Sequence, residues 1–359
     1  MTEKINVKEI WTFLKETDLP VVLYGMGNGA DMIIDVLSSV GVEPKAVFAS
    51  DGFVRGHSFH GMPVLTLKEV EEKFQEFIIL LTFAVHDDNM LSYINELKKR
   101  HILLSPTVPV AGKGLFTLDF IKENDELFEK AYSLLADEKS KEVFLNVLKF
   151  KISGNTDYLF STHSEKNEVY DSLLCLSDDE YIVDLGAYDG DTIREFTAYT
   201  NGRYNIISAF EPDGKNFKKL QRKTEGMKNL FLYNLGAWDK KETLYFEKKG
   251  GRNSRKSESA DVKSVAVNFD SVDNVISHPV SFLKMDIEGA ESKALDGAAE
   301  TIRKYLPKLY VCAYHRNEDM YVLPQKIKDF DSRYNVYFRH HPYIPAWESN
   351  FYAVIDDNK

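Results

Sequence analysis

One segment constrains the chain more than any other. Residues 183–191 read VDLGAYDGD, an apolar run that meets Asp184 and breaks into a glycine loop, and a helix-period stretch follows at 192–198. A strand that feeds through glycines straight into a helix is the opening unit of a parallel sheet covered on both faces. Gly186 lets backbone approach a ligand without a Cβ in the way, and Gly190 supplies unusual dihedrals at the helix entrance. Asp184, with Asp189 or Asp191, places negative charge around Ala187 and Tyr188, which suits a ligand carrying an ammonium and a sulfonium and disfavours a pyrophosphate. The plainer alternative is a structural glycine turn with an aspartate cap.

Strand-like runs at 181–183, 206–210, 230–233, 282–285 and 308–313 extend this unit into a doubly wound sheet. The second run ends in Glu211-Pro212, where a carboxylate can accept hydrogen bonds from both hydroxyls of a ribose. The third is followed by Ala237 and Trp238, suited either to an adenine contact or to packing. Residues 250–260 (GGRNSRKSESA), between strand-like runs at 244–246 and 265–269, read as a loop.

The first half repeats the theme. A strand at 21–24 leads into Gly25, Gly27 and Gly29 and a helix at 30–40, with further strands at 46–49 and 77–82. Gly25, Gly27 and Ala30 match a dinucleotide-binding pattern, and Asp51 follows the second strand. Gly61-Met62-Pro63-Val64 suggests a small Rossmann-type domain that takes a nucleotide or sugar nucleotide, or one that is purely structural or oligomer-forming. Asp31 and Asp35 in its first helix disfavour a strongly anionic ligand.

A chain of 359 residues exceeds the size at which one core keeps growing, so the boundaries read as 1–112, a helical linker at 113–168, and 169–359. The resulting fold class is α/β, two doubly wound Rossmann-like domains joined by helices. With 43 % hydrophobic and 28 % charged residues the chain reads as an ordinary soluble protein, and a net charge of −11 argues against nucleic acid. Cys175 and Cys312 are too few for a disulfide framework, residues 1–14 lack a leader pattern, and the apolar run at 77–85 is too short to span a bilayer. A cytoplasmic protein without membrane contact is expected, its oligomeric state open.

The fourth run of the second half ends in Lys284-Met285-Asp286-Ile287-Glu288-Gly289-Ala290-Glu291, then Ala294, Leu295 and Gly297. Together with 183–191, and through Pro307, Tyr314-His315, Pro324 and Tyr337 to His341, it resembles the FkbM-type methyltransferases. The resemblance implies a class I methyltransferase fold in the second half and S-adenosylmethionine as cofactor, held by Asp184, Gly186, Gly190 and Glu211. It also implies methyl transfer to a hydroxyl of a carbohydrate or small-molecule acceptor, with Asp286 and Glu288 facing the reaction.

A hydroxyl must lose its proton as it is methylated, so Asp286, Glu288 and His315 are candidate bases. Helix capping by the carboxylates and a strand-end role for the histidine are the bland alternatives. Three carboxylates within six residues plus His315 could also hold a divalent metal such as magnesium, although the spacing is not diagnostic and no metal ligand is assigned. Arg339, His340 and His341 suit either the lining of an acceptor pocket or a solvated basic loop. Rival functions are an NAD- or sugar-nucleotide-dependent enzyme using the first glycine loop, and a non-catalytic binding protein.

Overall fold

The computed structural model describes residues 1–247, 256–257 and 264–356. In the first half, β1 (Val21–Tyr24), β2 (Ala46–Phe48), β3 (Ser58–Phe59), β4 (Met62–Leu65), β5 (Ile78–Leu81) and β6 (Ile102–Leu104) form one sheet in the order β3-β4-β2-β1-β5-β6. All its pairings are parallel except that of β3 with β4. Helices α1 (Ile10–Glu16), α2 (Asn28–Ser39), α3 (Leu67–Lys73) and α4 (Asp88–Lys98) accompany it. Val21 and Leu23 pack into one layer with Ile33 and Leu37 of α2, whereas Val22 and Tyr24 face a second layer with Ile94 and Leu97 of α4. Burial on both faces explains why β1 and β5 read as unbroken apolar runs rather than alternating ones.

Five helices follow: α5 (Leu118–Glu123), α6 (Asp125–Ser133), α7 (Glu138–Ser153), α8 (Asp157–Phe160) and α9 (Lys166–Ser172). Asp137 caps α7 by accepting from the Ser140 amide, and Gly154 ends it in a left-handed conformation.

The second half adds β7 (Tyr181–Leu185), α10 (Asp191–Tyr199), β8 (Ile206–Phe210), α11 (Gly214–Lys223) and β9 (Leu230–Tyr233). A small sheet, ordered β10-β13-β11-β12, comes from β10 (Gly236–Ala237), β11 (Glu242–Glu247), β12 (Lys256–Ser257) and β13 (Ser264–Asp270). The chain then runs through α12 (Val272–Val275), β14 (Phe282–Met285), α13 (Glu291–Asp296), α14 (Ala299–Tyr305), β15 (Lys308–Cys312), α15 (Asp319–Phe330), β16 (Asn335–His340) and β17 (Ser349–Val354).

The main sheet is seven-stranded, in the order β16-β17-β15-β14-β7-β8-β9, with β17 antiparallel to both neighbours. Counted along its own strands this is 3-2-1-4-5-7-6, with the order reversing between β7 and β14. Helix α6 packs against α15 and α7 against β16, so the helical stretch braces this sheet. Among the described residues no helix is long and apolar enough to cross a membrane.

Two sequence expectations need correction. Asp184 lies inside β7 and is fully buried, not at an open strand end. Arg339, His340 and His341 form no solvated loop and no open pocket lining: β16 continues through His340, and all three side chains are buried. Arg339 pairs with Asp137, and His341 Nδ1 contacts the Ser164 carbonyl at 2.6 Å while its Nε2 faces Tyr352. The expected loop at 250–260 falls outside the described residues apart from 256–257.

Candidate active site

Parallel sheets offer ligands the crevice at the carboxyl ends of their strands, where the strand order reverses. In the main sheet that point lies between β7 and β14, and chemistry-bearing residues gather there from four strand ends.

Both loops at the reversal are held by backbone fit. A Cβ on Gly186 would overlap the carbonyl oxygen of Asp286, and Gly186 has φ +86°, so glycine is required by the approach of the β14 loop rather than by a ligand. Gly190, also at φ +86°, precedes α10 and packs against Leu220 and Thr224. Ala187 is buried, whereas Tyr188, in a left-handed conformation at φ +46°, is exposed.

The acidic residues of this loop have different fates. Asp184 pairs with Lys284 of β14 at 3.2 Å. Burial raises the Asp184 carboxyl above its ordinary range despite that partner, and the Lys284 ammonium is held protonated by Asp184 and Asp286 against the cost of burial. Asp184 Oδ2 has no hydrogen-bond partner. Asp189 is engaged by Lys223 and Arg194, which hold its carboxyl low. Asp191 is exposed and accepts from the Thr192 amide at 2.8 Å.

Glu211 closes β8 beside this loop. Its Oε2 accepts from the Tyr188 amide at 2.9 Å and its Oε1 from the Asp213 amide at 2.8 Å. Burial outweighs those two bonds and pushes the carboxyl up to about 7. Pro212 is half-buried next to it. Ala237 is buried in β10, while Trp238 donates its amide to the Asp270 carbonyl and packs edge-on against Phe269 at 5.7 Å.

On the other side of the reversal, Asp286 Oδ1 accepts from the Tyr314 hydroxyl at 2.9 Å, and His315 Nε2 stands 3.5 Å from it and 3.6 Å from Glu288 Oε2. Glu288 is largely exposed and has φ +55°, a strained backbone in a strand-end loop. His315 Nδ1 lies 2.9 Å from Glu291 Oε1, and Glu291 is fully buried. Burial alone would raise Asp286, but Lys284, His315 and the Tyr314 hydroxyl leave it below the usual carboxylate range. Burial likewise opposes a charged His315, yet Glu291, Asp286 and Glu288 raise it to about 9.

Behind this group Asp319 accepts from the Arg316 amide at 2.9 Å, and its burial near Glu291 pushes it up to about 8. Lys151 of α7, buried and opposite Asp319, is pushed down to about 8.

The structure therefore brings Asp286, Glu288 and His315 together, and Glu211 beside the 186–190 loop. Lys284, Tyr314 and Asp319 belong to the same group and were not singled out from sequence as site residues. A charged residue inside an apolar strand, as in Phe-Leu-Lys-Met, was the legible signal for Lys284, since a buried ammonium needs a partner. Asp319 carried no such signal, because its burial comes from α15 folding back over α13.

The first half meets this site through short contacts. The Ala111 amide donates to the His315 carbonyl at 3.0 Å, and Asn317 Nδ2 to the Gly114 carbonyl at 3.2 Å. Val85 and Ile344 exchange backbone hydrogen bonds, with His86 stacked on Tyr343. In the first glycine loop, Gly25 has φ +114° and packs on Thr82 and Phe83, Gly29 abuts the Thr82 carbonyl, and Gly27 has open space around it. Asp31 is bonded to His60 at 2.7 Å.

Comparison with known proteins agrees with this geometry. Residues 184–341 match the model of the methyltransferase FkbM domain. The crystal structure of methyltransferase FkbM from Methylobacillus flagellatus KT aligns with a TM-score of 0.71 at 22 % identity, covering 98 % of this chain and 92 % of that one. An rRNA methylase from Streptococcus thermophilus aligns over 50 % of this chain and 89 % of its own, at 15 % identity and a TM-score of 0.34. Fibrillarin from Aeropyrum pernix aligns over 50 % of this chain and 69 % of its own, at 12 % identity and the same TM-score. No curated protein matches. Residues 184–341 thus resemble the methyltransferase FkbM domain, in a chain that shares its fold from end to end with the Methylobacillus protein.

Proposed function

We propose that the chain is an S-adenosylmethionine-dependent methyltransferase acting on a hydroxyl of a carbohydrate or small-molecule acceptor. In this reading residues 169–359 are the catalytic domain, 113–168 the helical brace and 1–112 a separate Rossmann-like domain. The observation that carries it is the pairing, across one reversal of strand order, of a carboxylate poised over a glycine loop with an ionised carboxylate–histidine pair. Glu211 already receives two loop amides and sits where ribose hydroxyls can donate to it. The unpartnered Asp184 Oδ2 is a buried acceptor in β7 just before that loop, and Tyr188 offers an exposed ring within the loop. Ala187, Asp189, Gly190, Asp191, Pro212, Ala237 and Trp238 complete the cofactor side in this assignment.

When bound, the cofactor supplies a methyl group on a sulfonium. The chain's own part is to hold the acceptor oxygen in line and take its proton. Asp286 is the assigned base, because it is ionised at neutral pH, about a third exposed, and aimed by the Tyr314 hydroxyl. His315, raised to about 9, is the group that steadies Asp286 and Glu288 rather than a base in its own right.

Calorimetric titration with S-adenosylhomocysteine tests the reading, with NAD and a UDP-sugar as comparison ligands. Glu211→Gln should weaken S-adenosylhomocysteine by roughly tenfold or more, the worth of hydrogen bonds to a charged acceptor. Tight NAD or UDP-sugar binding without S-adenosylhomocysteine binding would instead place the activity at the first glycine loop, where Gly27 leaves room for a ligand. Retained cofactor binding without turnover on any acceptor would support a binding protein.

A further inference from the structure

We propose that Asp286, Glu291 and His315 form a binding site for one divalent transition-metal ion of the Mn2+ class. Each of the three contributes a ligand atom, and these atoms lie within 4.8 Å of one another.

Two unmet atoms point to an ion. Glu291 is fully buried, and although its Oε1 accepts from the Ile287 amide at 2.9 Å, its Oε2 has no hydrogen-bond partner. His315 Nδ1 is 2.9 Å from Glu291 Oε1 but is not satisfied by a hydrogen bond along that line. A nitrogen and an oxygen that close together, without a linear hydrogen bond, stand as two ligands on one ion stand. Leaving a buried carboxylate oxygen unpaired costs free energy that an ion would recover.

Charge favours a cation as well. Asp286, Glu288 and Glu291 surround His315, and of the nearby cations Lys284 is already engaged with Asp184 while Lys151 faces Asp319. The donor set selects the ion: imidazole nitrogen with two carboxylates suits Mn2+, Fe2+ or Zn2+ better than Mg2+ or Ca2+, which prefer all-oxygen shells. Asp286, the partly exposed member, opens the site toward the crevice, leaving positions for water or an acceptor oxygen.

The ion would engage Asp286 and His315, the base and its positioning group in the methyl-transfer reading, and the site is tested on the full chain with Mn2+ as the probe. Electron paramagnetic resonance of free Mn2+ during titration should show one ion bound per chain, with a dissociation constant below about 100 µM. Pulsed measurements on the bound ion should show coupling to a 14N nucleus, the imidazole of His315. Glu291→Gln should weaken binding at least tenfold and His315→Gln should abolish the nitrogen coupling. Absence of saturable binding, binding without nitrogen coupling, or binding unchanged in both variants would overturn the site. The wild-type spectra decide the matter even if a variant fails to fold. S-adenosylhomocysteine affinity measured on the same samples separates the outcomes, since its loss with Mn2+ binding intact would overturn the proposed function and leave the ion site standing.

Discussion

At the scale of single residues, the two glycine loops separate what packing demands from what a ligand would. Gly186 faces the Asp286 carbonyl and Gly27 faces empty space. Gly186→Ala should therefore destabilise the protein by on the order of 3 kcal/mol, from overlap and left-handed strain together, whereas Gly27→Ala should cost less than about 1 kcal/mol. Urea denaturation of both variants checks this, and equal costs would refute the packing role given to Gly186. Asp184 behaves differently again. Its removal leaves the buried Lys284 without its hydrogen-bonded partner, so Asp184→Ala should cost about 3 kcal/mol of stability in addition to any loss of cofactor affinity. A thermal melt without ligand separates the two effects.

At the scale of elements, α7 is fastened to β16 by one side chain with two duties. Asp137 caps α7 through the Ser140 amide at 2.7 Å and receives Arg339 Nη2 at 2.6 Å, while Arg339 is almost fully buried. The lost cap costs about 1 kcal/mol and the stranded guanidinium more, so Asp137→Ala should lower stability by about 3 kcal/mol. A value near that of a simple cap, measured by chemical denaturation, would show that Arg339 finds another partner. The edge strand β16 and its neighbour β17 escaped sequence reading for a related reason. Residues such as Arg339, His340, Ser349 and Asn350 look solvated in isolation, yet are buried: Arg339 donates to Ser140 of α7, His340 and Ser349 bond each other, and Asn350 faces the hydroxyls of Tyr310 and Tyr352.

At the scale of the whole molecule, burial of histidines where the helical brace meets the main sheet sets a response to acid. Burial lowers His341 to about 4 and also lowers His163 and His340. Because these pKa values fall below those of an unfolded chain, their stabilising contribution is present above about pH 6.5 and is lost as pH falls toward 4. His341 alone contributes a loss of about 3 kcal/mol over that window. Stability measured at pH 7 and pH 5 should drop accordingly, and His341→Gln should flatten the drop. An unchanged pH profile in that variant would remove His341 from the cause.

The unbroken apolar runs, the glycine loops after 21–24 and 181–185, and the carboxylates at 211 and 286–291 determined by themselves that the chain forms parallel sheets with acidic strand ends. Period and turn chemistry are local properties that need no partner to be read. The tertiary structure decided which charges face one another. It withdrew Asp184 into a pair with Lys284, joined Glu291 to His315, and brought Asp319 and Lys151 behind them from α15 and α7. Such pairings depend on elements far apart in the chain sharing one low-dielectric interior, where an uncompensated charge is too costly to leave alone.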